Sequence, residues 1–476
     1  MTADPPPREL RVYRAWTLAH RLPQGVRDEA FRQLAQQILR SPLHACSGAR
    51  LLIDGELAFR AMLSAIDEAT EEVLLETYIL RDDRIGVAVQ QALAAAVARG
   101  VRVNVLADAV GSLATADAFW GAWEAQGITL RLFHRLRYLP FEALRRDHRK
   151  IVVVDRTIAF TGGMNIGVEY GSSIRRRNVG AWRDTLVRVD GSVARELAAV
   201  FAEGWDRAQG PQLPGLEYIS WAEDAGPSLV APTAAWGARA LRARVARRLA
   251  RQLARRLATR RDRKRGRRVR RDGRSDAASD VASDVASAAR STDESTALVL
   301  DSRPGRGQRE VLAVLAALAG GARRRLWITT PYFAPPTRAL ALLRAASRRG
   351  VDVRLLVPGE KTDVALVRHA AHGAYAALLD AGVRVFEYQR ATLHSKTAVV
   401  DGYAGVIGST NLDFRSFWLN AECNVLLFDE ALAASLDAAF VDDCAHSVEI
   451  TLAMWKTRSW CHRFGDWCAR QLRWAL

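Results

Sequence analysis

At 476 residues, about half of them apolar, the chain can bury a large core and divide into two or more domains. Its net charge of +17 would suggest a polyanionic partner, yet eighteen basic residues against two acidic ones between Arg239 and Arg274 carry +16 of it, so the rest is nearly neutral. Five cysteines, Cys46, Cys423, Cys444, Cys461 and Cys468, are odd in number and follow neither a disulfide-framework nor a zinc-ribbon spacing.

MTADPPPREL lacks a basic segment leading into an apolar run, and no window reaches the roughly 18 apolar residues of a spanning helix. The expectation is a protein on the cytoplasmic side. Residues 1–45 read as a helical lead-in containing DEAFRQLAQQIL. Residues 46–235 form a first domain, where strand LLID, helix AFRAMLSAIDEA, strand VLLETYIL, helix GVAVQQALAAAVARG and strand VRVNVLAD alternate. After an interval at 236–296, a second domain at 297–448 repeats the order with helix REVLAVLAALAGG, strand RRRLWITTPYF, helix TRALALLRAASRRG, strand VDVRLLVPG, helix AHGAYAALLDAG and strand VRVFEY. The alternation predicts an α/β fold, a mixed sheet flanked by helices in each half. Two such halves packed about a pseudo-twofold axis make a bilobed body.

Within the interval, Leu241, Val245, Leu249, Leu253 and Leu257 sweep one side of a helix, opposite Arg244, Arg247, Arg248, Arg251 and Arg255. Such a basic amphipathic helix suits an anionic membrane surface, each cation contributing roughly 1 kcal/mol there. The plainer reading is a surface helix packing its Leu stripe on the protein body. Beyond it the sequence turns Ser/Ala/Asp-rich, the composition of a disordered linker. Residues 449–476 are expected to form a terminal helix. There Trp455, Trp460, Trp467 and Trp474 alternate with Lys and Arg, as in a headgroup-level anchor or a helix docked on a core.

The most informative pattern is a repeat: His148, Lys150, Asp155 and Asn165 recur as His394, Lys396, Asp401 and Asn411 with every spacing preserved. HRKIVVVD and HSKTAVVD are β-branched runs, so each His and its Lys share a strand face while Asp155 and Asp401 have the opposite parity. Both Asp are expected to anchor the following turn. Gly162-Gly163 and Gly408-Ser409 then present Asn165 and Asn411. Facing across a cleft, two imidazoles and two lysines suit displacement at phosphorus: one His attacks, the other protonates the leaving oxygen, and ammonium and amide groups offset the developing charge. No paired-carboxylate or H-x-x-x-H metal signature competes with this, and no cofactor is implied.

This doubled H-x-K-x4-D resembles the signature of the phospholipase D superfamily. The resemblance implies a covalent phosphohistidine and a catalytic set of His148, Lys150, Asp155, His394, Lys396 and Asp401. ETYIL around Tyr78 and TPYFA around Tyr332 are read as equivalent, as are WRDTLVRVDG with Asp184 and NAECNVLLFD with Glu422. By resemblance Asp184 and Glu422 orient His148 and His394, while Asn165, Asn411 and Ser409 serve phosphate binding or orientation. LLETYILRDDRIG, GGMNIG and GSTNLDFRSFWLNAECNVLLFD are similar to bacterial cardiolipin synthases of the phospholipase D type that lack amino-terminal spans. That implies phosphatidylglycerol-type substrates and a peripheral place on the cytoplasmic side of the inner membrane. A phospholipase D-type phosphodiesterase acting on nucleic acid or hydrolysing phospholipid is the alternative.

Overall fold

The computed structural model describes residues 8–133, 145–171, 181–216, 295–303 and 308–459. Arg244, Arg247, Arg248, Arg251, Arg255, Trp460, Trp467 and Trp474 lie outside the described residues.

Helices α1 (Arg8–Arg21) and α2 (Glu29–Leu39) lead to a short strand, β1 (His44–Ala45). The first half runs β2 (Gly48–Ile53), α3 (Asp54–Asp67), β3 (Glu72–Thr77), α4 (Arg84–Ala98), β4 (Arg102–Asp108), α5 (Asp117–Ala125), β5 (Thr129–Phe133), β6 (Arg146–Asp147), β7 (Ile151–Val154), β8 (Ile158–Gly162), β9 (Trp182–Arg183), β10 (Thr185–Asp190) and α6 (Ser192–Arg207). The second runs β11 (Thr296–Ser302), α7 (Gln308–Gly321), β12 (Arg325–Thr329), α8 (Thr337–Arg348), β13 (Asp352–Pro358), α9 (Ala365–Asp380), β14 (Arg384–Tyr388), β15 (Thr392–Leu393), β16 (Thr397–Val400), β17 (Ala404–Gly408), α10 (Phe414–Trp418), β18 (Asn420–Phe428), α11 (Glu430–Ala445), β19 (Ser447–Ile450) and α12 (Leu452–Lys456). No helix among the described residues is long and apolar enough to cross a membrane.

One sheet has the order β2-β10-β8-β7-β3-β4-β5 and the other contains β11-β18-β17-β16-β12-β13-β14, the same order twice, with β1 and β19 added at the edges. In each, three parallel strands continue into antiparallel ones, so both sheets are mixed. β3 is buried along its whole length, its Glu72 and Glu76 paired with Arg156 and Arg149, and β13 is buried from Leu355 to Pro358.

The halves share a core. Leu74, Val187, Leu197 and Phe201 from the first half are buried with Val299, Trp327, Val425 and Phe440 from the second. The lead-in helices pack on the second half rather than on the first domain that follows them in sequence: Val12, Ala15 and Ala19 of α1 join the core around α7. Close approach there requires Gly320, where a Cβ would lie 2.6 Å from the Trp16 carbonyl oxygen.

Trp455 departs from the expectation of a membrane anchor. It is 8 % exposed, with its ring 4.8 Å from Tyr375 and 5.2 Å from His372. Burying a large ring in its own protein outweighs leaving it at the surface, so Trp455 is a core residue of the second half.

Candidate active site

Two short strand exchanges build the site. β6, just before His148, pairs in parallel with the start of β18, just before Glu422; β15, just before His394, pairs in parallel with β9, just before Asp184. Each exchange continues one residue further: the His148 N–H donates to the Ala421 carbonyl at 2.9 Å and the His394 N–H to the Arg183 carbonyl at 2.8 Å. The motif residues therefore sit in coil at the entry to β7 and β16, not within the strands, and the exchanges bring each His against the opposite half.

The acid partners are consequently crossed. His148 Nδ1 lies 2.9 Å from Glu422 Oε2, and His394 Nδ1 lies 2.7 Å from Asp184 Oδ2. The expectation pairing each acid with the His of its own half is corrected: Asp184 holds His394 and Glu422 holds His148. With Nδ1 donating to a carboxylate, Nε2 is the nitrogen left for chemistry. Glu422 also accepts from Ser409 at 2.5 Å, Ser416 at 2.7 Å and Asn420 at 3.2 Å. Ser409 thus serves the orienting carboxylate. At its matched position Gly163 leaves room for Asp184, whose Oδ1 a Cβ there would meet at 2.2 Å.

Both lysines are buried beside their histidines. Lys150 Nζ donates to the His148 carbonyl at 2.5 Å, and Lys396 Nζ lies 2.9 and 3.2 Å from the two ring nitrogens of His394. Burial pulls Lys150 down to about 7 and Lys396 to about 8, with each ammonium felt by the other half: Lys396 acts on both Lys150 and His148. Burial likewise takes His148 down to about 4 despite Glu422, and lowers His394. Glu422 is buried too, yet His148, Lys150 and Ser409 win and hold it below the ordinary range. Lowered lysines and histidines around an anchored carboxylate leave a site short of protons and ready for an anion to restore them.

Other sequence-expected residues lie elsewhere. Asp155 and Asp401 end β7 and β16, at the far end from the histidines. The Asp155 carboxylate accepts backbone N–H groups of Thr70, Glu71 and Glu72 at 2.8 to 2.9 Å, and Asp401 those of Arg323, Arg324 and Arg325 at the same lengths. They staple the entry of the neighbouring strand rather than the following turn, and they do not reach the reacting groups. The Asn165 oxygen accepts from Ile79 N–H at 3.0 Å and its amide donates to Tyr170 at 2.8 Å, so it holds a loop. The bridges Leu80↔Ile166 and Phe333↔Leu412 align the halves so that Tyr332 matches Ile79, and Pro331 matches Tyr78. The two tyrosines, read as equivalent, are one residue out of step.

Sequence reasoning missed Arg149. Fully buried between His148 and Lys150, it lies 3.0 Å from Glu76, 3.1 Å from Asp147, 3.2 Å from Glu203 and 3.4 Å from Asp301, joining both halves under the site. The repeat carried no signal for it, because its counterpart is Ser395, which bonds Thr185 at 2.7 Å across the same interface. Aromatic rings around His394 were also missed: Trp182 at 5.0 Å and Tyr170 at 5.5 Å, from the other half.

A family model described as cardiolipin synthase, PLD-like domain, matches residues 62–205 and 315–444, more than half of the chain. The chain belongs to the phospholipase D-like cardiolipin synthase family. It is 32 % identical to cardiolipin synthase A of Pseudomonas aeruginosa over 418 residues, covering 87 % of this chain and 70 % of the relative. It is 28 % identical to a cardiolipin synthase of Geobacillus kaustophilus over 454 residues, covering 95 % and 77 %. The phosphatidylserine synthase of Haemophilus influenzae has the same fold, with a TM-score of 0.60 at 14 % identity, covering 94 % of this chain and all of that one. This member of the cardiolipin synthase family is a phosphatidyltransferase of the phospholipase D type, and the crossed imidazole–carboxylate pairs are its candidate reacting centre.

Proposed function

We propose that this enzyme transfers a phosphatidyl group between phospholipids through a covalent phosphohistidine, making cardiolipin from phosphatidylglycerol with release of glycerol. The observation that carries the reading is the reciprocal pairing of two imidazoles with carboxylates of opposite halves, beside two buried lysines. In the first step one Nε2 attacks phosphorus; the P–N bond forms as the P–O bond to glycerol breaks, and the glycerol oxygen takes a proton from the other imidazolium. In the second, the hydroxyl of an acceptor lipid gives its proton to that now neutral imidazole, the new P–O bond forms and the P–N bond breaks. Both histidines end as they began. Lys150 and Lys396 face the non-bridging oxygens in a dry pocket, where fixed charges act strongly. The bound phosphodiester in turn raises the proton affinity of the lysines and of the acid imidazole.

The same reading takes residues 46–235 and 297–448 as the two catalytic domains and assigns the enzyme to the cytoplasmic face of the inner membrane, held peripherally. There the Arg244–Arg255 face and Trp460, Trp467 and Trp474 meet anionic headgroups. Purified enzyme given phosphatidylglycerol vesicles without divalent metal is expected to release glycerol, form a four-chain lipid and yield an acid-labile phosphatidyl–protein adduct on rapid quench. Cleavage of plasmid DNA with no lipid turnover would overturn the reading. Deleting residues 238–274 is expected to weaken sedimentation with anionic vesicles; unchanged sedimentation would remove that segment from membrane binding.

A further inference from the structure

We propose that Asp363, with Asp413 and the Asn411 carboxamide beside it, forms a hydroxyl-binding subsite on the His394 side of the phosphodiester, which takes the glycerol portion of the leaving and entering groups. This rests on the phosphatidyl-transfer reading and adds to it where the alcohol sits.

The duplicated fold supplies an internal control. Where the first half has Ile79, the second has Tyr332, with its ring 6.2 Å from the His394 imidazole and its hydroxyl donating to Asp363. Where the first half has Gly167, the second has buried Asp413. One Asp413 oxygen caps α10 by accepting the Ser416 N–H at 2.7 Å; burial pushes its carboxyl up to about 7, and when ionised it acts on Lys396 and Tyr332. Asp363, in the loop after β13, accepts from the Tyr332 hydroxyl and is near enough to act on the charges of His394, Lys396 and Tyr170. At the end of β4 in the first half, Asp108 is already held by Arg146 and by the N–H groups of Val110, Gly111 and Asp147. Ser112 and Thr115 are held there by the backbone of residues 78–80.

An independent observation comes from Asn411. Its counterpart Asn165 has both ends of the amide engaged, by Ile79 and Tyr170. In the second half Ser416 stands in place of Tyr170 and turns instead to Glu422 and the Asn411 backbone. The bridge Phe333↔Leu412 carries Asn411 alongside Tyr332, and its carboxamide oxygen, in a residue 2 % exposed, has no hydrogen-bond partner among the described residues. A buried acceptor without a donor is costly unless a ligand supplies one.

Carboxylates and a carboxamide oxygen are acceptors, which repel phosphate oxygens and attract hydroxyl groups. The lysines draw the phosphate between the histidines, and the acceptors beside His394 select what hangs from it. Glycerol, leaving or entering, carries a hydroxyl besides the one that reacts. Water and simple alcohols do not, so the subsite favours a lipid glycerol headgroup over solvent.

The test is competition for the phosphoenzyme. Wild-type enzyme, Asp363→Ala and Asp363→Asn are each given phosphatidylglycerol vesicles with equimolar perdeuterated glycerol and 1-propanol, and labelled phosphatidylglycerol and phosphatidylpropanol are quantified by mass spectrometry. Asp363 is exposed, so both variants are expected to fold. The glycerol-to-propanol product ratio is expected to fall about tenfold or more in Asp363→Ala, as loss of a hydrogen bond to a charged group implies, with Asp363→Asn in between. An unchanged ratio in Asp363→Ala, even at lower total turnover, overturns the subsite while leaving the transferase reading intact. Absence of any phosphatidyl transfer by the wild type, to either alcohol or to a second phosphatidylglycerol, overturns that reading, and the subsite with it.

Discussion

Replacing Glu422 by Gln tests the crossed geometry at its centre. The carboxylate accepts from His148, Ser409, Ser416 and Asn420 at 2.9, 2.5, 2.7 and 3.2 Å. Glutamine keeps the shape but offers one acceptor oxygen and an NH2 group. The serine hydroxyls can turn from donating to accepting, whereas the His148 Nδ1–H cannot. Losing a hydrogen bond to a charged group costs about 1.5–3 kcal/mol, or roughly one to two decades of rate at 1.36 kcal/mol each. If the amide NH2 faces His148, the ring must also move its proton to Nε2 and lose the lone pair that attacks phosphorus. The corresponding change in a Ser-His-Asp triad costs about 10⁴-fold. For Glu422→Gln we expect glycerol release from phosphatidylglycerol vesicles to fall about 10³- to 10⁴-fold, with a melting temperature near the parent's. In ¹⁵N spectra of histidine-labelled protein, His148 is expected to change its proton pattern while His394 does not. Activity within about threefold of the parent, or a perturbation at His394 in place of His148, would refute crossed pairing.

Three further outcomes follow from the same geometry. Lys150 at about 7 and Lys396 at about 8 are charged only below those values, and His148 at about 4 is a free base only above it. With His148 attacking, the kcat/KM profile is therefore expected to fall on the acid side near pH 4, to begin its alkaline fall as the acid imidazole His394, held below its ordinary value by burial, loses its proton, and to fall further from pH 7 to 8 with the lysines; a flat profile to pH 10 would contradict the depressed lysines. Arg149→Met leaves Glu76, Asp147 and Glu203 buried without their guanidinium, a loss of about 3–5 kcal/mol, so calorimetry is expected to show a melting temperature lower by several degrees. No change would show that the ion network contributes nothing. Asp155→Ala and Asp401→Ala each strip a cap from three backbone N–H groups and are expected to destabilise by about 2 kcal/mol in urea titrations, with kcat per folded molecule retained; a selective kcat loss would return these Asp to the chemistry.

How much could be read from the chain depended on whether a feature is local. The paired tetrads were legible because fixed polar spacing inside a β-branched run survives duplication, and the alternating order foretold two mixed sheets. The crossing of acids was not legible, since it arises when residues 146–147 pair with residues 420–421, far away in the chain. α6 was legible and was passed over: Val193, Leu197, Phe201 and Trp205 recur at helical spacing and are buried, opposite a polar stripe of Ser192, Arg195, Glu196 and Arg207. Tyr78 and Tyr332 align as letters but not as backbone positions, a slip that only the bridge register exposes. Arg149 gave no hint because a buried arginine and its matched Ser395 solve the same interface by unrelated means.

The reciprocal strand exchange also constrains how such a protein can change over generations. A lesion in either acid is felt as a defective histidine in the other half, so neither repeat can decay into a passive support while its twin goes on working. A long stretch of chain between residues 217 and 294 leaves the reacting groups in register, because the clasp between the repeats, not the covalent thread joining them, keeps the centre assembled.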